Sequence, residues 1–414
     1  MSRRLRKRLK YLYESFVSAA AIVWRRVMFR TTFIVITGSV GKSTATACVG
    51  AILSAHFPTS WKAGGRNARE VLSRTMLATR FRDRFTVIEL GTRVPGVMRR
   101  SAWTLAPDIV VMLRVLNVHS NAFPTLEVMA AEKEQLLSRL GKRGIAVMNA
   151  DDPMVMAMAG RSRAQVRTFG KSPGSFVVAD QVSALWPQRL SFRVRCGDQS
   201  AFVQTNFLGE HLLLSSLAAI TTAVCCGLTL EQAAAAIQNV QPVTGRMAPL
   251  LLPNGACIIR DDFNATFPTF MASLEFLAQA QVSRRIVIMG DILDTGLTVR
   301  PRARELARQV AKVADMVVFL AEEGRLSART AIEAGMAEDS VRTFSDLKEA
   351  AKFLKAELRS GDLVLSKGWQ GRHIERASLA QIGYVACWME RCPLVLPCDL
   401  CPELKLVPFP PNGA

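Results

Sequence analysis

Cysteine is scarce, at nine in 414 residues. The odd count and low density exclude a disulfide-stapled secreted scaffold and point to a reduced, cytoplasmic setting. Long apolar runs are lacking too. The longest uncharged stretch, 212–230, contains Ser215, Ser216, Thr221, Thr222 and Thr229, so it reads as a buried helix ending near Gly227 rather than a bilayer span of about 20 apolar residues. The apolar run 16–24 is shorter still, and Arg25-Arg26 follows it where a signal peptide would place small residues, so it reads as uncleaved. Histidine is down to four, and no Ser-His-Asp or Cys-His constellation is evident. There is no internal repeat or low-complexity tract. Acid is in deficit, with 34 Asp+Glu against 53 Lys+Arg and a net charge of +19. What remains is a globular balance, 50% hydrophobic and 21% charged, which excludes a disordered or fibrous chain. At roughly 150 residues per domain the length allows two to three domains.

Strand, glycine turn and helix follow one another at 32–36, 38–41 and 43–55. Thr37-Gly38-Ser39-Val40-Gly41-Lys42-Ser43-Thr44 therefore reads as a phosphate loop. Glycines admit backbone N–H groups to phosphate oxygens, the helix N-terminus adds positive potential, Lys42 reaches the β/γ-phosphates and the Ser43 hydroxyl can take Mg²⁺. The generic pattern asks for a further glycine where Ile36 stands. Apolar strands recur at 86–90, 109–113 and 145–148 with a helix over 125–140, which predicts βα units on a parallel sheet. A second series has strands at 257–259, 286–289, 316–320 and 363–365 and helices at 269–280, 301–313 and 346–358. The expected architecture is α/β, a P-loop parallel-sheet ATPase domain (31–243) followed by a Rossmann-like α/β C-terminal domain (244–385). A basic leader (1–30) precedes them and a Cys/Pro-rich tail (386–414) follows.

The shortened loop TGSxGKST resembles that of the Mur ligases, ATP-dependent amide ligases of peptidoglycan synthesis. Further segments match in the family's order: Glu89-Leu90-Gly91 with Pro95-Gly96, Asn117-Val118-His119, Lys133, Asn149-Ala150-Asp151-Asp152-Pro153, Gly209-Glu210-His211 and Gly245-Arg246. Asp261-Asp262-Phe263-Asn264-Ala265, Met289-Gly290-Asp291 and Lys367-Gly368 through Glu375 resemble the branch that adds D-alanyl-D-alanine. The resemblance covers about residues 31–378.

The resemblance implies an amide made from a carboxylate and an amine through an acyl phosphate, with ADP and phosphate released, so positioning and charge neutralisation carry the catalysis. It implies catalytic roles for Lys42, Glu89, His119 and Lys133, and ATP contacts from Gly38, Ser39, Gly41, Lys42, Ser43, Thr44, His211, Arg246 and Asp261. Arg246 would approach the phosphates and Asp261 the ribose. Ser43, Glu89, His119 and Lys133 would serve Mg²⁺, Lys133 after carbamylation by CO₂, which needs a depressed lysine pKa. Its neighbours Glu132 and Glu134 make an ordinary solvated helix face the rival reading. Lys367 and Arg372 would meet the substrates, a solvated loop lysine being the other reading of Lys367.

The chain also departs from the family. Leu212 and Ser215 stand where the adenine-binding segment has asparagines, and Gln370 replaces the arginine of the KGSR segment. Only about thirty residues precede the loop, where cell-wall members carry a domain of about a hundred that grips the UDP-sugar. The expected acceptor is thus a small or polymer-linked carboxylate, not a UDP-muramoyl peptide bound in the usual way, and the amine belongs to an amino acid or peptide.

Residues 1–30 carry nine basic side chains against Glu14 alone, a net +8, with Leu5, Leu9, Leu12, Phe16 and Trp24 at helical spacing. This helix could lie on an anionic membrane surface, peripheral at the inner face, or dock on its own ATPase domain. Nucleic acid is not an expected partner. Cys387, Cys392, Cys398 and Cys401 offer four thiolates for a structural Zn²⁺, free thiols or a redox pair being the alternatives. The rivals to a ligase are a non-catalytic nucleotide-binding subunit and an ATPase coupling hydrolysis to movement.

Overall fold

The computed structural model describes residues 3–63, 69–118, 122–292, 299–390, 392, 394 and 396–410. The chain divides into two compact units, and the first comprises Met1–Ser183, Leu190–Asn206 and His211–Gln241. Its strands are β1 (Thr32–Thr37), β2 (Thr59–Trp61), β3 (Phe85–Glu89), β4 (Ile109–Met112), β5 (Ile145–Asn149), β6 (Gln165–Gly170), β7 (Val177–Ser183), β8 (Ser191–Cys196) and β9 (Gln199–Gln204). They form one sheet in the order β2-β3-β1-β4-β5-β6-β7-β8-β9. Pairing is parallel from β2 to β7 and antiparallel from β7 to β9. Continuous apolar runs such as Phe33 to Ile36 and Ile109 to Met112 suit parallel strands buried on both faces, and these residues are fully or almost fully buried.

The helices of this unit are α1 (Arg3–Val27), α2 (Lys42–Ser54), α3 (Arg69–Leu77), α4 (Val97–Leu105), α5 (Leu126–Glu134), α6 (Pro153–Arg161), α7 (Leu213–Cys225) and α8 (Leu230–Ile237). The helix expected over 125–140 is α-helical only to Glu134, and a 3₁₀ turn, Gln135–Arg139, completes it. The basic leader docks by one side. Val17, Ala21 and Met28 are buried, whereas Leu12, Phe16 and Val23 are exposed. Trp24 Nε1 donates to the Thr79 carbonyl at 3.1 Å. Arg25 donates to the Leu105 and Ala106 carbonyls at the end of α4 and to Asp108, each at 2.8 Å.

The second unit comprises Ala184–Arg189, Phe207–Glu210 and Pro242–Ala414. Its sheet runs β10-β11-β15-β12-β13-β14, from β10 (Ala248–Leu251), β11 (Cys257–Asp261), β12 (Arg284–Met289), β13 (Met316–Phe319), β14 (Val341–Thr343) and β15 (Asp362–Lys367). Only the edge strand β10 pairs antiparallel. Helices α9 (Phe267–Gln279), α10 (Val299–Ala311), α11 (Gly324–Glu333), α12 (Leu347–Glu357) and α13 (Glu375–Leu379) accompany it. Both units are thus α/β with mainly parallel sheets, the class expected. The tail is ordered by a short antiparallel pair, β16 (Gly383–Tyr384) with β17 (Val407–Pro408). It is also held by Arg260 of β11, whose buried guanidinium donates to Asp262 at 3.0 Å and to Asp399 at 2.6 Å.

Candidate functional site

In parallel α/β sheets, ligands gather beyond the carboxyl ends of the strands, and in the first unit the glycine loop lies there, between β1 and α2. Gly41 caps α2 with φ 78°, and a Cβ at that position would stand 2.9 Å from Ser215 Oγ. A Cβ on Gly38 would stand 2.9 Å from Leu113 Cβ, so glycine is required at both positions. Ser39 N donates to the Arg114 carbonyl at 2.6 Å, while its hydroxyl donates to the Leu116 carbonyl at 3.1 Å and accepts from Leu116 N at 2.9 Å. The loop is therefore stapled to the segment after β4. Ser215 on α7, the position where the family pattern has asparagine, donates to the Gly41 carbonyl at 3.1 Å. His211, in the 3₁₀ turn before α7, is half-buried. Ser43 and Thr44 are buried in the first turn of α2. Lys42 Nζ donates to the carbonyls of Gly38 and Ser39, at 3.0 Å each.

A second lysine reaches the same loop. Lys133 on α5 is 2% exposed, and its Nζ donates to the Gly38 carbonyl at 3.0 Å. The solvated helix face is therefore overturned. The acids beside it point elsewhere: Glu132 accepts from Gly96 N at 2.8 Å and Met98 N at 2.9 Å at the start of α4, and Glu134 pairs with Arg161. Burial first, then the nearby Lys42 charge, lowers the Lys133 pKa to about 7, with Glu132 opposing. Glu89 ends β3 in register with Ile36, one residue short of the loop's Thr37. A carboxylate on the strand next to β1, a helix-start hydroxyl and the glycine cradle fit a phosphate chain with a hard cation held by oxygen. The expected ligand His119 lies outside the described residues.

In the second unit, parallel pairing of β11 with β15 sets Asp261 beside Lys367, and the two form a buried ion pair. Ser273 Oγ donates to the same Asp261 oxygen at 2.7 Å. The residues expected to serve ribose and substrate separately thus hold each other, and Lys367, 1% exposed, is no solvated loop lysine. Burial pulls its pKa down and Asp261 opposes this. The Arg246 guanidinium lies 4.8 Å from the Phe263 ring centre. Arg372 Nε donates to Asp291 Oδ2 at 2.8 Å, and Asp291 also accepts from Glu322 N at 2.8 Å. The sequence assigns no role to Asp291 or to the helix-capping Glu132, although Gly290-Asp291 stands in a matched motif.

The four tail cysteines differ in environment. Cys398 is buried with Leu379 and Leu404, and its Sγ accepts from Arg376 Nε at 3.2 Å, whereas Cys387, Cys392 and Cys401 are only partly buried. Among the described residues the four sulfurs are not grouped closely enough to share a metal, and the turn Cys398–Leu400 sets Cys398 against Leu379 of α13. Among the described residues, the group of His, Cys, Asp or Glu donors close enough to share a metal is His373, Glu375 and Cys398.

With this geometry in place, the comparisons with known proteins are specific. Residues 36–223 match the family described as Mur ligase middle domain, and residues 245–369 match Mur ligase, glutamate ligase domain. The UDP-N-acetylmuramoyl-tripeptide--D-alanyl-D-alanine ligase of Mycobacterium tuberculosis (strain CDC 1551 / Oshkosh) is 29% identical over 370 residues, 84% of this chain and 72% of the relative. The ligase of the same name from Escherichia coli (strain K12) is 27% identical over 278 residues, 66% of this chain and 60% of the relative. Among solved structures, MurF from Acinetobacter baumannii superposes with a TM-score of 0.80 at 23% identity, covering 88% of this chain and 79% of that one. MurF ligase from Thermotoga maritima in complex with ADP gives 0.77 at 22% identity, covering 89% and 83%.

Proposed function

The chain belongs to the Mur ligase family of ATP-dependent amide ligases, and from that premise we propose that it joins a carboxylate to the amine of an amino acid or peptide. A carboxylate oxygen attacks the γ-phosphorus of ATP and the bond to ADP breaks. The amine nitrogen then attacks the acyl carbon, phosphate leaves with the C–O bond pair, and the amine gives up a proton. The convergence of Lys42 and Lys133 on the Gly38 carbonyl carries this reading, since it aims two amines at one phosphate loop, as phosphoryl transfer by positioning and charge requires. Ser43 and Glu89 would hold Mg²⁺, which supplies charge neutralisation for the phosphates. Lys133, whose pKa burial lowers to about 7, would take up CO₂ as a carbamate. Arg246, Asp261, Lys367 and Arg372 are proposed to serve nucleotide and substrates from the second unit. The acceptor proposed is a small or polymer-linked carboxylate.

The test is turnover of the purified chain with Mg-ATP, a panel of amines including D-alanyl-D-alanine, and a panel of carboxylates including a UDP-muramoyl peptide. Amine-dependent ADP release is expected, falling by about 100-fold or more in Lys42→Ala. Constant hydrolysis without substrates indicates a motor ATPase, and nucleotide binding without turnover a non-catalytic subunit. Turnover confined to the UDP-muramoyl peptide would refute the acceptor. No helix among the described residues is long and apolar enough to cross a membrane. The exposed Leu12, Phe16 and Val23 on α1 nonetheless support a second proposal, that this face rests on an anionic membrane surface.

A further inference from the structure

We propose that His373, Glu375 and Cys398 form a zinc site that fastens the tail to the segment carrying Arg372, independently of the ligase chemistry. All three are 2 to 3% exposed. Nδ1 of His373 stands 3.1 Å from Glu375 Oε1 and 3.4 Å from Cys398 Sγ. Tetrahedral zinc with bonds of about 2.0 Å to nitrogen and oxygen and about 2.3 Å to sulfur sets nitrogen–oxygen and nitrogen–sulfur edges of about 3.3 and 3.5 Å. The donors already stand close to those edges.

Hydrogen bonding points the same way. His373 Nε2 lies 3.2 Å from the Leu394 carbonyl, an acceptor only, so this nitrogen carries the ring proton. In the neutral ring Nδ1 is then a lone pair, and it faces Glu375 Oε1, itself an acceptor from Cys398 N at 3.1 Å. Two lone pairs at that separation repel unless a proton or a metal ion lies between them, and zinc is one such ion that this donor set suits. Glu375 Oε2 is buried without a hydrogen-bond partner among the described residues, so the carboxylate has a second oxygen available for the ion.

The surroundings resemble a metal's outer shell. A backbone carbonyl fixes the far ring nitrogen, and the Arg376 guanidinium donates to the sulfur. The backbone supports the same assembly, because His373 is a non-glycine residue at φ 52° and ψ 42°, a conformation sustained only where its surroundings impose it. The spacing hides this set from sequence reading, since His373 and Glu375 lie far from Cys398 while the CxxC beside it suggests a purely cysteine site.

Zinc chloride and cobalt chloride added to the purified full chain test the site. One zinc per chain by mass spectrometry is expected, with a melting temperature that rises with zinc and falls with chelator. Cobalt should give a thiolate-to-metal charge-transfer band in the near ultraviolet. Cys398→Ser should abolish that band and His373→Gln should weaken zinc binding by about 100-fold or more, beyond the range of outer-shell changes, while Cys401→Ser leaves both unchanged. Wild-type protein that binds no zinc above background overturns the proposal, as does zinc lost in Cys401→Ser but kept in His373→Gln. The wild-type cobalt spectrum needs no substitution, so a variant that fails to fold leaves the site testable.

Discussion

Lys133 is the residue whose environment departs furthest from its sequence context. Flanked by two acids, it nonetheless points away from both and toward Lys42 and the glycine loop. Below about pH 7 it is protonated in the folded and unfolded chain alike, and the folded state bears the full cost of burying the charge. Between about 7 and the ordinary 10.5 the unfolded chain binds a proton that the folded chain has released, so the stability contributed here rises with pH. Lys133→Met should accordingly be more stable than the wild type at pH 6 in CO₂-free buffer. Its advantage should shrink by about 1.4 kcal/mol per pH unit above 7. Urea denaturation across pH 6 to 9 checks this, and a pH-independent difference would mean the amine is not buried as charge. In turnover assays Lys133→Ala should be inactive and partly rescued by short carboxylic acids if a carbamate is used.

At the scale of elements, α4 depends on a side chain from another helix. Glu132 of α5 accepts two amide hydrogens at its start, where no side chain of the capping residue, Gly96, can do so. Glu132→Ala should lower unfolding free energy by about 1 to 2 kcal/mol, and an unchanged denaturation midpoint would remove the cap from the account. The parallel strands β1, β3, β4, β5, β11, β12, β13 and β15 were legible as apolar runs because burial on both faces leaves no polar face to interrupt them. Strands β6 to β9 are less legible, although Phe192 and Val194 alternate with Arg193 and Arg195 along β8, the period-two signal of a half-buried strand. The phosphate loop was legible because its chemistry is contiguous. The Asp261–Lys367 pair was not, since it depends on the register of strands 106 positions apart.

Across the whole molecule, the +19 charge divides between function and surface. The α1 helix holds its inner side to the first unit through Trp24 and Arg25 and leaves apolar side chains outward. The full chain should therefore sediment with phosphatidylglycerol vesicles at low salt and release as salt rises. Leu12→Glu with Phe16→Glu should abolish sedimentation without lowering the melting temperature, and persistent sedimentation would reduce the attraction to bulk charge.

The ion cluster on β11 has a consequence in time. Arg260 meets Asp262 at once, but Asp399 lies 139 positions downstream, beyond every strand of the second sheet. A chain emerging from the ribosome completes that sheet with a buried arginine still short of one carboxylate, and breaking such a buried pair costs about 3 to 5 kcal/mol. A chain ending at residue 385 should be cleaved by a dilute protease under conditions in which the full chain survives, because Arg260 is then left without Asp399.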